Sequence, residues 1–381
     1  MQTTDVLIIG AGMAGASAAY FLAPHCRVLV LERESQPGYH ATGRSAAMYV
    51  ETYGNATVRA ITGASRSFFF NPPAGFADHP LVVERGALIA GAAADQDALR
   101  ATWHDMRRQV PSVQWWTQAD ILQRVPVLHP EFAVGGIFEP EAMDLDVHAI
   151  HQGFLRGAKA AGAQLRCDAG VSQISRSADG WRVATAAGDF AAAVLVNAAG
   201  AWCDQLAQLA GVAAVGLQPR RRTAFTCDAP AGCDSSAWPL VMDAQESFYF
   251  KPDAGLLLMS PANQDPVAAQ DVQPEELDVA IAVDRIETAT TLRIRQVRRK
   301  WAGLRSFVAD KTPVAGFSPD APGFFWLAGQ GGYGIQTAPA LGELTATLVL
   351  GRPLPPSLAA QGFCAVEVAA GRSGLLAGLS G

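Results

Sequence analysis

Three glycines and one acid carry the clearest chemistry in the chain. Gly10, Gly12 and Gly15 follow the apolar run Val6 to Ile9, and Glu32 stands twenty residues past Gly12, at the end of a second apolar run, Val28 to Leu31. A G-x-G-x-x-G turn opens a tight path for the backbone, brings N–H groups against a pyrophosphate at a helix N-terminus, and lets helix and strand pack closely. An acid at this distance accepts hydrogen bonds from adenosine ribose hydroxyls and repels a 2′-phosphate. The stretch "DVLIIGAGMAGASAAYFLAPHCRVLVLERE" therefore predicts strand, turn, helix over Ala14 to Leu22, and strand, built around a dinucleotide other than NADP.

The elements that must complete such a site lie far away in the chain. "VLVNAAGAWCD" reads as a strand over Val194 to Ala198 that stops abruptly in tiny residues, Asn197 to Trp202, where another backbone or a flat ligand can come close. "GFFWLAGQGGYGIQTAPALGELTATLVLG" predicts a strand over Phe324 to Ala328, a glycine loop over Gly329 to Gly334, and a helix from Gln336 onward. A helix N-terminus there would put partial positive charge against the N1 and C2 carbonyl of a reduced flavin. After Glu32 the chain enters "SQPGYHATGRSAAMYVETYG", broken by glycine, rather than regular βα units. That favours FAD over NAD, with Thr42, Arg44, Ser45 and Ala46 offering donors to phosphate and flavin.

The bulk numbers agree with an enzyme of two domains. The chain has 381 residues, half of them hydrophobic and 17% charged, with a net charge of −6. This composition argues against disorder and gives no electrostatic footprint for nucleic acid. Six cysteines are scattered without a C-x-x-C pair or a histidine at metal-ligand spacing, so no metal site is expected and the thiols suit a reducing compartment. No signal peptide and no transmembrane run are read. The expectation is a cytoplasmic enzyme, with peripheral contact to a membrane electron carrier left open.

With these segments at its start, middle and end, the chain resembles the D-amino-acid oxidase and glycine/sarcosine oxidase superfamily of FAD-dependent amine oxidoreductases. It is most similar there to the bacterial catabolic D-arginine dehydrogenases, on "LERESQPGYHATGRSAA", "NPPAGF", "LVNAAGAWCD", "WAGLRSFVAD" and "QGGYGIQT". The resemblance implies an α/β fold, with a Rossmann-type FAD-binding domain from residues 1–47, 146–218 and 313–355. A discontinuous antiparallel-sheet substrate domain would come from 48–145 and 219–312, followed by a C-terminal extension, 356–381. "SFYFKPDAGLLLMS" predicts a hairpin in that second domain, turning at Pro-Asp-Ala-Gly, and Pro274 and Glu275 predict the opening of a helix. It further implies noncovalent FAD, touching Gly10, Ala11, Gly12, Met13, Ala14, Gly15, Glu32 and Arg33, then Thr42, Gly43, Arg44, Ser45, Ala46 and Ala47. Further contacts are implied at Val171, Ala198, Ala199, Gly200, Trp202, Gly303 and Arg305, and along the loop Gly331, Gly332, Tyr333, Gly334, Ile335, Gln336 and Thr337.

An amino-acid substrate brings a carboxylate, which a guanidinium fork binds best. The residues alone offer Arg220, Arg221, Arg222 and Arg305. The resemblance selects Arg222 and Arg305 as the clamp, with Tyr53 and Tyr249 as pocket tyrosines and Gly332 and Gln336 on the flavin side. The implied reaction is oxidative deamination of a D-amino acid to a 2-oxo acid and ammonia, by hydride transfer from Cα to flavin N5. The electron acceptor is quinone-like or oxygen. No dedicated side-chain base is needed, and His40, His148 and His151 read as structural. Two positions depart from the D-arginine pattern: Met48 replaces a histidine, and Ala87 replaces an acid that pairs with a basic side chain. Glu84, read as lying on the same strand as Ala87 but on its opposite face, would not compensate. Neutral or apolar D-amino acids are therefore expected to be preferred over D-Arg and D-Lys. Glycine/sarcosine-type oxidation and a noncatalytic dinucleotide binder are the alternative readings.

Overall fold

The computed structural model describes residues 1–230 and 232–375. The strand Gln2–Ile9 lies at the centre of an eight-stranded sheet, flanked in parallel by Val28–Leu31 and Gly188–Asn197. Phe324–Ala328 extends the parallel array beside Leu195 to Asn197, while the hairpin Val171–Ser177 and Gly180–Thr185 joins antiparallel at the other end of Gly188–Asn197. Leu7, Ile8, Leu195, Phe324 and Phe325 are fully or almost fully buried. These continuous apolar runs, rather than alternating ones, are what a sheet covered on both faces requires.

The helices over this sheet approach unusually closely because small residues stand where they cross. A Cβ on Gly15 would lie 1.9 Å from the Gly10 carbonyl oxygen, and one on Gly342 would lie 2.8 Å from the Ser17 backbone. Gly157, in the helix Val147–Ala160, likewise makes room for the ring of Tyr20 in the helix Met13–Leu22. The helix Ala56–Phe70 packs in turn on Ala338–Val349, and Ser65 Oγ accepts the Ala340 N–H at 3.2 Å.

A second sheet of nine strands is antiparallel except where Leu240–Asp243 runs parallel to Ala87–Gly91. Its longest pair is Gln218–Asp228 with Val297–Phe307. Phe225, Phe250, Leu257 and Met259 fill one face, against the helix Glu276–Ala289. Burying each such side chain stabilises by roughly 2–3 kcal/mol. The alternate residues, among them Arg222, Tyr249, Met242, Ala87 and Glu139, occupy the opposite face, as the period of two demands.

Several local expectations shift by a few residues. The hairpin turns at Ala254 and Gly255, whose φ values of +47° and +82° are those of a two-residue type I′ turn, while Pro252 and Asp253 stay in the strand. The last long helix starts at Ala338 rather than Gln336, with Pro339 in its first turn. Glu84 ends the strand Val82–Glu84 of a separate three-stranded sheet, and a turn at Gly86, φ +75°, divides it from Ala87. It is therefore not on Ala87's strand at all. Within the region 356–375, Leu358, Phe363 and Val368 are buried against the first sheet's helices. Residues 376–381 of the expected extension lie outside the described residues.

Candidate active site

The glycine turn is built around one close approach. Gly10 has φ +102°, and a Cβ there would sit 2.4 Å from the Ala198 carbonyl oxygen. The tiny residues after Gly188–Asn197 thus accommodate the neighbouring backbone at Gly10, while Ala198 and Gly200 also line the cavity beyond it. Glu32 accepts the Ala11 N–H at 2.8 Å and the Glu34 N–H at 3.0 Å, which fixes its carboxylate at the cavity wall. Thr42 Oγ1 accepts the Met13 N–H at 2.9 Å. Gly12 supplies no side-chain cap, so the first-turn N–H groups of Met13–Leu22 lack intrahelical partners. A helix end of this kind suits a phosphate.

Behind the turn, His151 Nε2 lies 2.9 Å from the Ala11 carbonyl oxygen, and burial lowers its pKa. A neutral imidazole donating to that carbonyl is a structural buttress, not a base.

One continuous cavity of about 370 Å³ runs from Glu32 past Gly10, Gly12 and Ala14 to Gly303, Arg305 and Ile335. Met13, Arg33, Thr42, Arg44, Ser45, Ala46, Val171, Ala198, Ala199, Gly200 and Trp202 also line it, as do Arg222, Tyr249, Gly331, Gly332 and Gly334. The Arg33 guanidinium stacks over the Trp202 ring, 4.2 Å from its centroid. Arg44 lines the cavity while its guanidinium ion-pairs with Asp271 and donates to the Val272 and Ala302 carbonyls at 2.9 and 3.1 Å. It ties the segment carrying Gln270 and Val272 over the cavity, a wall with no signature in the sequence.

Among the expected cofactor contacts, Ala11, Gly15, Gly43, Ala47, Tyr333, Gln336 and Thr337 are absent from the lining. Gly15 serves helix packing, Tyr333 packs on Tyr53, and Thr337 is fully buried with its hydroxyl donating to the Tyr333 carbonyl. On this side the wall comes from Gln330 to Ile335, ahead of the helix, and not from the helix N-terminus.

At the far end the sheet presents two cations. Arg222 faces Gly303 across the paired strands, and Arg220 faces Arg305. Arg221 points to the other face, where Asp278, Glu275 and Asp265 neutralise it. Arg220 is spent on the Gln264 carbonyl at 3.0 Å. Arg222 Nε donates to the Asn263 carbonyl at 2.7 Å, and its guanidinium carbon lies 5.9 Å from the Tyr249 ring centroid. Arg305 Nη1 lies 3.5 Å from the Tyr53 hydroxyl, and Gly332 leaves space for it: a Cβ there would come within 3.0 Å of Nη1.

Neither Arg222 nor Arg305 has an ion-pair partner among the described residues, in contrast to Arg221. Burial, and then the charge of Arg305, bring the Arg222 guanidinium down to about 10, so it remains cationic at neutral pH. Burial pushes the Tyr249 hydroxyl upward, but the two guanidinium charges outweigh it and the net shift is down. Two enclosed cations without an acid cost free energy that a bound anion would recover.

Tyr53, Met48 and Ala87 stand behind the lining rather than in it. Met48 pairs with Asp144 across the small sheet, and Ala87 lies between Leu240 and Glu139. The Gln336 amide is turned away from the cavity, receiving the Val50 N–H at 3.2 Å and donating to Thr62 Oγ1 at 2.9 Å. Its side chain braces the chain before Tyr53 instead of meeting a substrate.

The sequence profile of FAD dependent oxidoreductases matches residues 5–348. The chain belongs to this family. Glycine oxidase of Geobacillus kaustophilus is 25% identical over 362 residues, 91% of this chain and 92% of that protein. The crystal structure of glycine oxidase from the same organism superposes with a TM-score of 0.78 at 24% identity, over 93% of this chain and 96% of that one. FAD-dependent oxidoreductase domain-containing protein 1 of Bos taurus is 28% identical over 179 residues, 42% of this chain, and the match spans about a third, 36%, of that longer relative.

The cofactor of the family is FAD, and the residues present fit it. Glu32 suits the ribose, the helix end at Gly12, with its Met13 N–H on Thr42, suits the pyrophosphate, and the small residues Ala46, Gly303 and Gly331 suit a flat ring at the arginine end. Among the described residues no helix is long and apolar enough to cross a membrane, and no cluster of His, Cys, Asp or Glu is placed to hold a metal.

Proposed function

We propose that this enzyme oxidises D-amino acids with neutral or apolar side chains to 2-oxo acids and ammonia. The observation that carries this reading is the pair of unpaired guanidinium groups, Arg222 and Arg305, at the end of the FAD cavity opposite Glu32. Such a pair needs an anion, and a substrate carboxylate supplies one. Bound FAD supplies the hydride acceptor.

Arg222 and Arg305 hold the carboxylate, the Tyr249 hydroxyl restricts its rotation so that Cα–H is presented in one orientation, and the Tyr53 hydroxyl holds Arg305 from behind. Tyr249 supplies an aromatic wall to the cavity, backed by the apolar cluster of Leu240, Met242, Leu258 and Ala262. A neutral amine assists the departure of hydride, so no protein base is required, and water converts the imino acid product to the 2-oxo acid.

The preference for neutral side chains is supported by the chemistry of that wall. Ala87 and Met48, behind the lining, offer no charge, Asp144 is already held by Lys251 and Arg85, and Glu139 is occupied by the Glu51 amide and the Thr52 hydroxyl. A cationic side chain would lose its hydration without gaining a free partner. The D configuration rests on the sequence resemblance. Glycine or sarcosine oxidation is the second reading, favoured by the full-length similarity to glycine oxidase. The electron acceptor is proposed to be quinone-like, with oxygen as the alternative.

Anaerobic mixing of the holoenzyme with single amino acids tests this. Faster flavin bleaching by D-Leu, D-Met or D-Phe than by D-Arg supports the proposal, and slow recovery of colour in air identifies a dehydrogenase. Bleaching by glycine or sarcosine alone would replace it with the second reading.

A further inference from the structure

The segment from Met48 to Tyr53 carries Tyr53 to Arg305, and side chains from elsewhere hold its polar groups. Gln336 takes both the N–H and the carbonyl of Val50, at 3.2 and 3.4 Å. The next two residues are held by Glu139, the last residue of the strand Gly135–Glu139: its carboxylate accepts the Glu51 N–H at 3.1 Å and the Thr52 hydroxyl. Tyr53 follows directly, with its ring against Tyr333 at 5.0 Å and its hydroxyl at Arg305.

Glu139 is an expensive residue in this place. It is 2% exposed, and its carboxylate is met by uncharged donors of Glu51 and Thr52, with no cation in ion-pair contact among the described residues. A glutamine of the same shape would avoid the cost of enclosing a charge, but its single carbonyl oxygen would replace two carboxylate acceptors. What the carboxylate does is receive two donors from consecutive residues at once, one on each oxygen. It thereby fixes the backbone immediately before Tyr53.

We propose that Glu139 is a positioning residue for the carboxylate clamp, holding Tyr53 against Arg305 through Thr52 and the Glu51 amide. The inference rests on the reading of Arg222 and Arg305 as a clamp. Loss of one Glu139 acceptor frees the Glu51 end of the segment, lets the Tyr53 hydroxyl leave Arg305, and weakens binding of the substrate carboxylate. The chemical step is left nearly unchanged, because Cα and the hydride acceptor are not touched.

The test is titration of the holoenzyme with benzoate, followed by the flavin absorption band, in wild type, Glu139→Gln, Tyr53→Phe and the double variant. Glu139→Gln is expected to raise the dissociation constant about tenfold, the effect of one lost buried hydrogen bond. In the Tyr53→Phe background the same change is expected to do nothing further, since both variants break one relay. With the best amino-acid substrate, KM rises by the same factor and kcat stays within about twofold. Thr52→Val reproduces the weakening while Thr52→Ser does not, and this pair decides the matter if Glu139→Gln fails to fold. Unchanged affinity in Glu139→Gln, or independent additive effects of Glu139→Gln and Tyr53→Phe, overturns the positioning role and leaves the clamp standing. Failure of wild type to bind benzoate at all overturns the clamp and the inference together.

Discussion

Arg305 and Tyr53, 252 residues apart in the chain, meet with Nη1 3.5 Å from the phenolic oxygen. The contact joins the second sheet to the segment entering the helix Ala56–Phe70, and it leaves most of the guanidinium donors unspent. Arg305 beside a tyrosine hydroxyl, with a second cation at Arg222 and no acid in ion-pair contact with either among the described residues, supports the proposed anion site.

Arg222→Met and Arg305→Met are each expected to lower kcat/KM by about 10²- to 10³-fold, since each removes a buried charge from its partner carboxylate. Flavin content should stay normal. Thermal unfolding without substrate should occur at an equal or higher temperature than in wild type, because an uncompensated buried cation has gone. A fall in flavin content together with Tm would instead make these arginines structural.

Ala87→Glu places a carboxylate on the face shared with Leu240 and Tyr249. Steady-state kinetics should show the ratio of kcat/KM for D-Arg over D-Leu rising at least about tenfold, the scale of one new charge pairing. Glu139 is its cross-strand neighbour, so the variant should also melt earlier. An unchanged ratio would remove Ala87 from the side-chain pocket.

Burial, opposed by the Thr52 and Glu51 hydrogen bonds, pushes the Glu139 carboxyl up from 4.5 to about 7, and the Glu51 charge adds to the rise. The folded protein therefore keeps a proton that the unfolded chain releases above 4.5. This group's contribution is fully present below that pH and is lost as pH rises through 7, by on the order of 3 kcal/mol in all. Glu139→Gln cannot titrate, so its Tm relative to wild type should climb between pH 5 and pH 8. A difference independent of pH would place the Glu139 pKa near that of an ordinary glutamate.

Gly10→Ala and Gly12→Ala should fail differently. At Gly10 a methyl group meets φ +102° and the Ala198 oxygen at 2.4 Å, and soluble protein should be lost. At Gly12 it meets only Thr42 Oγ1, at 3.3 Å, so the protein should fold yet purify with little flavin, read from the ratio of visible to ultraviolet absorbance. Full flavin content in Gly12→Ala would take the pyrophosphate away from that helix end.

The parts of the cavity wall legible in the sequence are those made by neighbours along the chain. Strand, glycine turn, helix and Glu32 lie within one short unit, and local propensity and sterics write them almost residue by residue. The runs around Asn197 and Phe324 likewise announced themselves by continuous apolar residues ending in glycine and alanine. What went unread are contacts between distant residues: Arg44 with Asp271, His151 with Ala11, Gln336 with Val50, and Glu139 with Thr52. Nothing in the types or spacing of such pairs marks them, because the fold alone brings them together. Gln336 was expected on the flavin side and Arg44 among the donors to phosphate and flavin, with no sign in the sequence that the Gln336 amide is held by Val50 and Thr62 or the Arg44 guanidinium by Asp271, Val272 and Ala302.

The cavity draws its walls from Gly10 to Ala46, from Ala198 to Trp202, and from Gln330 to Ile335. During synthesis the glycine turn leaves the ribosome first, and the last wall follows roughly 320 residues later, a delay of about 15–60 s at typical elongation rates. For a little over half of that interval, until Gly188–Asn197 is made, the strand Gln2–Ile9 has only its partner Val28–Leu31, and the half-built sheet keeps one apolar edge open. The nascent chain cannot close that edge until about half of it is made, nor complete the cavity until it is nearly finished, so the yield of active enzyme in a cell should depend on what shields the edge while it waits.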